Sequence, residues 1–264
     1  MSAAAFQELP FWLVLALGGV LGLLIGSFLA TLLIRWPKGE PALSGRSRCD
    51  VCGAVLGPLD LIPIFSWLIR RGRCRACGVP IDPRHLAIEL ASGMIGVVAV
   101  LAHPLPLALV TAGLGWWLLL TAALDVELEW LPDLLTLPLI LLGLIAAWAG
   151  FGPPLAERLW GAVIGWASLE AIRLIYRLSR GRDGMGGGDP KLFAAAGAWV
   201  GVWNLPVTLL TAALLGIGAA LTLMLRGQQV AADTRLPLGT LIAIALWPAW
   251  LLVAIQPSSI LGLI

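Results

Sequence analysis

The four cysteines of the chain fall at Cys49, Cys52, Cys74 and Cys77, a C-x2-C-x21-C-x2-C pattern with Gly53 and Gly78 directly after the two pairs. Four thiolates at this spacing suit the tetrahedral coordination of Zn2+. The two-residue gap lets backbone N–H groups turn toward the sulfurs, and each glycine relieves the tight turn that follows. Four protein ligands leave no open coordination position, so the expected metal is structural. Two disulfides and a redox Cys-x-x-Cys centre are the competing readings. Disulfides need an oxidising compartment, whereas the basic residues around the cysteines mark a cytoplasmic loop, and a redox centre needs only one pair. His85 and His103, the two histidines, have no second ligand at useful spacing.

A second chemistry comes from carboxylates. Asp125 ends a long apolar stretch in LDVELEWLPD, and Asp189 opens another in GMGGGDPKLF. A carboxylate at a helix C-terminus opposes the dipole, so Asp125 is costly unless used. Asp189 also satisfies the grammar of a helix start, as an N-cap with Pro190 after it, and Asp133 following Pro132 reads the same way. One cap does not account for the neighbouring glycine run. Gly186 and Gly188 make the backbone open enough for an extended substrate strand to approach closely. With no strand before it, the run is not a dinucleotide loop. Two carboxylates brought together from different helices can share one proton, one activating a water and the other protonating a carbonyl oxygen. No Ser-His-Asp or Cys-His set competes with them.

Both sets need a scaffold, and composition dictates its kind. Of 264 residues 59% are hydrophobic and 12% charged, which excludes a soluble globular enzyme and a disordered chain. The expected fold is an all-α polytopic membrane protein in contact with lipid, with about eight transmembrane helices and a small cytoplasmic zinc-binding loop domain. Apolar stretches near Phe11–Ile34, Leu86–Ala102, Leu105–Leu124, Leu134–Ala149, Leu155–Leu178, Lys191–Trp203, Leu205–Leu225 and Leu236–Ile255 supply the spans. The sixth is short for a crossing, and is tilted, partly buried in protein or fused with the seventh. The first is too long, and its flank at Glu8 too acidic, for a cleavable signal peptide. Residues 35–85 hold 13 of the 32 charged residues, the density of a soluble domain. The layout is therefore a first helix over residues 1–34, the cysteine domain over 35–85 and a membrane-embedded core over 86–264. With the N-terminus outside, 16 of the 17 Lys and Arg fall on the cytoplasmic side, leaving Arg158 beside Glu157 outside. The 13 Trp suit an interfacial belt, and a net charge of +2 is too small to argue for nucleic acid.

Taken together, these segments resemble the type IV prepilin leader peptidases, bifunctional membrane enzymes of pilus and type II secretion systems. GSFL at Gly26–Leu29 is similar to the family's opening G-S-F segment. GRSRCDVCG, LDLIPIFSWLIRRGRCRACG and PIDPRHLAIEL are similar to its zinc-binding region. LDVELEWLPD resembles the first aspartate motif, GGGDPKLF the G-x-G-D motif, and LPLGTLIAIALW the closing P-F-G-P-x-L-A segment, with Leu238 and Thr240 in place of Phe and Pro. The resemblance implies an intramembrane aspartic endopeptidase of the bacterial inner membrane, with Asp125 and Asp189 catalytic. Prepilins or secretion pseudopilins are then its substrates, cut after the leader's Gly at the cytoplasmic face. It further implies N-methylation of the new amino terminus from S-adenosylmethionine. Glu89, an acid just inside the second span, is the candidate for methyl transfer, or else a helix-end carboxylate reaching the interface. Glu127 stands where the family often has a second Asp. Glu127, Glu129 and Asp133 are the acids suited to a basic leader. A non-enzymatic membrane scaffold with a zinc docking module, and a proton-coupled transporter, are the rival readings.

Overall fold

The computed structural model describes residues 9–42, 45–228 and 236–255. Glu8, which argues against a signal peptide, and Arg235, one of the 16 Lys and Arg expected on the cytoplasmic side, lie outside the described residues. Among the described residues the chain is helical, with two isolated bridges and no strand. Its α-helices are α1 (Phe11–Arg35), α2 (Phe65–Ile69), α3 (Pro83–Ala102), α4 (Leu107–Leu128), α5 (Asp133–Trp148), α6 (Leu155–Arg180), α7 (Gly188–Val200), α8 (Leu205–Leu225) and α9 (Leu238–Val253). Five stretches, Phe11–Lys38, Pro83–Ala102, Leu107–Leu128, Leu155–Arg180 and Val202–Leu225, are long and apolar enough to cross a membrane, while α5 and α9 are apolar but shorter. This is a multi-pass membrane architecture. α7 differs from the rest. It has 13 residues, and every one from Leu192 to Val200 is buried. Gly201, at φ 76°, and a single 3-10 turn at Val202–Asn204 separate it from α8. Of the possibilities open for this segment, the structure gives a helix enclosed in protein.

The chain forms two compact units, Met1–Leu120 and Thr121–Ile264, the division falling inside α4. In the first unit α1 packs along α3, and small residues set the approach. A Cβ on Gly26 would lie 2.7 Å from the Glu89 Cα. Beyond α1 the two halves of the cysteine loop are near copies. The first cysteine of each pair donates its N–H five residues on, Cys49 to Ala54 and Cys74 to Val79, both at 2.9 Å. Gly53 and Gly78 return an N–H to that cysteine's carbonyl at 3.0 Å. Both take φ 69°, the left-handed region that glycine enters without cost.

In the second unit α7 lies among α5, α6 and α9. A Cβ on Gly161 of α6 would stand 2.5 Å from the Gly197 carbonyl oxygen of α7, so the two backbones touch. Beside this contact Arg158 is fully buried, in place of the outside loop charge that its position beside Glu157 suggests. Its guanidinium donates to the carbonyls of Gly143 (2.8 Å), Pro153 (3.0 Å), Ala198 (3.5 Å) and Phe151. It also lies 5.2 Å from the Trp250 ring centre. Trp250 meets Trp199 edge-on at 5.1 Å, and Trp199 Nε1 donates to the Leu139 carbonyl at 2.9 Å. A cation removed from water is thus held by carbonyl dipoles and an aromatic face. Trp148, Trp160 and Trp203 remain exposed near this end of the unit, as an interfacial belt requires.

Candidate active site

Asp125 sits in the last turn of α4 and is 4% exposed. Its Oδ2 receives the Thr240 N–H at 2.7 Å and lies 3.1 Å from the Thr240 hydroxyl. That hydroxyl is also 3.0 Å from the Ala122 carbonyl, so its single proton can go to either oxygen. Thr240 has a free N–H because it stands in the first turn of α9, where backbone donors lack intrahelical partners. The positive end of α9 is therefore turned on a carboxylate that the end of its own helix disfavours. Gly239 makes the approach possible, since a Cβ there would lie 3.0 Å from Asp125 Oδ2 and 2.6 Å from Leu131 Cδ1.

Asp189 is 7% exposed at the start of α7. It is not the N-cap that the local grammar suggests. The helix begins two residues earlier, at Gly188 with Gly187 as cap, and the Asp189 Oδ2 accepts the Gly186 N–H at 3.1 Å. The Asp189 and Asp125 side chains line the same cavity. Gly188 must lack a side chain because a Cβ would run into Leu131. Asp133 is likewise no cap. Pro132 holds that position, and Asp133 pairs with Lys191 Nζ at 2.5 Å.

A cavity of about 950 Å³ contains both aspartates and is walled by the glycine run, Trp130, Arg173 and Tyr176. Of the three acids suited to a basic leader, only Glu129 lines it. Glu127 is exposed elsewhere, and Asp133 is committed to its lysine. Charge reversal should therefore act mainly through Glu129. Glu129→Lys is expected to raise KM for a basic-leader substrate about tenfold with kcat retained, by loss of a charged contact. Steady-state kinetics check this, and an unchanged KM removes Glu129 from recognition. Thr240 and Arg173 escape sequence reading. Thr240 had one signal, an N–H and a hydroxyl where the pattern has Pro. Arg173, whose Nη1 lies 3.1 Å from Glu170 on its own helix, had none.

In the first unit the four cysteine sulfurs lie within 4.8 Å of one another and form no disulfide. They are placed to hold one metal ion. Backbone N–H groups of Cys77 and Ala76 bring the Cys74 thiol down to about 6. The Val79 N–H acts the same way on Cys77, but lost hydration and the adjacent sulfurs outweigh it and push Cys77 up to about 11. Glu89, in the first unit, is 7% exposed and accepts the Ile64 N–H at 2.8 Å.

Residues 20–103 match the Bacterial Peptidase A24 N-terminal domain, and residues 112–221 match the Type IV leader peptidase family. Among curated relatives, the prepilin leader peptidase/N-methyltransferase of Stutzerimonas stutzeri is 38% identical over 88% of this chain and 88% of its own. That of Dichelobacter nodosus is 35% identical over 88% and 90%, and that of Burkholderia pseudomallei (strain 1026b) 37% over 91% and 86%. No solved structure matches the chain.

Proposed function

The chain belongs to the type IV leader peptidase family, and from that premise we propose that it cleaves prepilin or pseudopilin leaders after Gly with Asp125 and Asp189. The new amino terminus is then N-methylated, with S-adenosylmethionine as donor. One observation carries the peptidase reading. Two buried carboxylates, neither paired with a cation among the described residues, share one cavity with an open glycine backbone. A merely structural pair of acids would be neutralised by nearby cations.

The dyad works with one shared proton. Asp125, whose Oδ2 holds the Thr240 N–H, is the carboxylate kept ionised, and takes a proton from water as the water oxygen bonds to the scissile carbonyl carbon. Asp189 gives its proton to the carbonyl oxygen. Collapse breaks the C–N bond as the leaving nitrogen takes the proton from Asp125 and a diol hydroxyl returns one to Asp189, which restores the starting state. The glycine run Gly184–Gly188 gives the extended leader a backbone edge free of side chains apart from Met185. Substrate arrives laterally from lipid, and the basic loops support a cytoplasmic position for this face.

The metal is zinc. A tetrahedron with Zn–S bonds of about 2.3 Å has edges of about 3.8 Å, and Cys49 Sγ lies 4.0 Å from Cys77 Sγ. Few of the described residues in 35–85 are buried, so the ion staples the loop. Metal analysis should find about one zinc per chain, lost in Cys49→Ser with Cys74→Ser. Zinc-free reduced protein of normal fold would contradict it. The function itself is tested by incubating purified protein in detergent with a prepilin and reading cleavage and methylation by mass spectrometry. Uncut substrate rejects the proposal.

A further inference from the structure

Between the two cysteine pairs, residues 58–69 read PLDLIPIFSWLI, a stretch with a single charge. An apolar run of about 10–14 residues is too short to cross a bilayer and has the length of a re-entrant or interfacial segment. Its one acid, Asp60, is neutralised by Arg70. Leu61 and Trp67 line a cavity inside the first unit, together with Phe28 of α1. Five large apolar side chains of the stretch do not line it. Leu59, Ile62, Phe65, Leu68 and Ile69 are between 39% and 73% exposed. Water-facing surfaces scatter such residues singly, whereas these five crowd into residues 59–69.

One hydrogen bond fixes the level of this segment beside the membrane spans. The Ile64 N–H donates to Glu89 at 2.8 Å. The Glu89 backbone lies about 9 Å along α3 from its Pro83 end, against Gly26, itself about 13 Å along α1 from Arg35. A glutamate side chain is shorter than either distance. Ile64 therefore stands level with the last turns of both spans, beside them rather than beyond them. At the same level α1 exposes Phe28 and α3 exposes Leu90, which belong to the wall that meets acyl chains. The backbone of the segment suits such a position, where amides without partners are costly. Pro58 and Pro63 have no N–H, and a 3-10 turn at Pro58–Leu61 and α2 supply partners of their own. Ile64, at φ 62° an unfavourable conformation for a β-branched residue, gives its N–H to Glu89.

The geometry points to residues 58–69 as a membrane-inserted tip of the cysteine loop. Leu59, Ile62, Phe65, Leu68 and Ile69 enter the acyl chains of the adjoining leaflet, and the exposed Arg71 that follows meets lipid phosphates. The cysteines close the base of the same loop, since their four sulfurs lie within 4.8 Å of one another and residues 53–73 leave and return at one point. Metal at the base and lipid at the tip thus hold the loop from opposite ends. This anchoring needs neither aspartate and no methyl donor.

Photolabelling of the full-length protein tests it, in vesicles of phosphatidylethanolamine and phosphatidylglycerol with a trace of lipid that carries a diazirine on its acyl chain. After irradiation and proteolysis, mass spectrometry should find label on residues 59–69 within about threefold of that on the exposed residues of α1, and at least about tenfold above that on residues 45–55. Label on 59–69 no higher than on 45–55 overturns the anchor. Phe65→Glu combined with Leu68→Glu sets two charges against hydrocarbon and should cut the label at least about tenfold with zinc content retained. Undiminished label in that variant also overturns it. If the variant does not accumulate, the pattern on the unsubstituted protein decides. A second copy seated on the patch would exclude lipid. A constant label yield is therefore expected as protein is diluted in the bilayer, and label that appears only on dilution overturns the proposal.

Discussion

Asp125→Asn and Asp189→Asn should each lower leader cleavage by at least about 10³-fold, because each removes a group that must both take and give a proton. Asparagine keeps the shape of the side chain and an oxygen that can accept the Thr240 or Gly186 N–H, so the second unit should still fold. Zinc content should be unaffected, since the cysteines lie in the other unit. The double variant should be no worse than either single one, as expected of residues that act as a unit. Mass spectrometry of a prepilin after prolonged incubation reads the result. Cleavage within tenfold of the unsubstituted protein by either variant would falsify the dyad, and loss of zinc or of monodisperse protein would point instead to a structural role for these acids.

Arg158→Leu should have the largest effect on stability. The guanidinium satisfies carbonyls from Gly143, Phe151, Pro153 and Ala198, so its loss frees acceptors in α5, in the loop before α6 and in α7 together. Removing one side of a buried charged network costs about 3–5 kcal/mol. That is enough to depress the detergent Tm strongly and to cut accumulation of the protein. Arg158→Lys should recover only part, because one ammonium cannot present the planar fork that reaches several carbonyls. Thermal unfolding followed by size-exclusion chromatography checks this. A Tm for Arg158→Leu equal to that of the unsubstituted protein would show that the carbonyls find other donors.

The two sites differ in how much of them the sequence discloses. Cysteine spacing is a local signal, and the repeated turn at Cys49–Ala54 and Cys74–Val79 is what that spacing implies. Asp125 and Asp189 were legible because an acid beside a long apolar stretch is expensive wherever the chain folds. Their support was not. Thr240 lies 115 positions from Asp125, and only the packing of α9 brings its N–H there. Local grammar also erred on Asp133 and Asp189, which read as caps but spend their oxygens on Lys191 and Gly186. Arg158 misled for a related reason. A charge between apolar stretches normally marks a loop, and nothing in one sequence reveals that carbonyls from distant segments converge to receive it.

The burial of α7 bears on how the enzyme meets different lipids. Helices that face the acyl chains tilt or shift when bilayer thickness changes. Asp189 hangs instead from an inner strut, too short at 13 residues to span the hydrocarbon and wrapped by α5, α6 and α9. At its far end Trp199 and Trp250 clamp that strut. Thickness changes reach the Asp189 carboxylate only through its neighbours, so cleavage should be tolerant of acyl-chain length in a way that a site on the lipid-facing wall would not be.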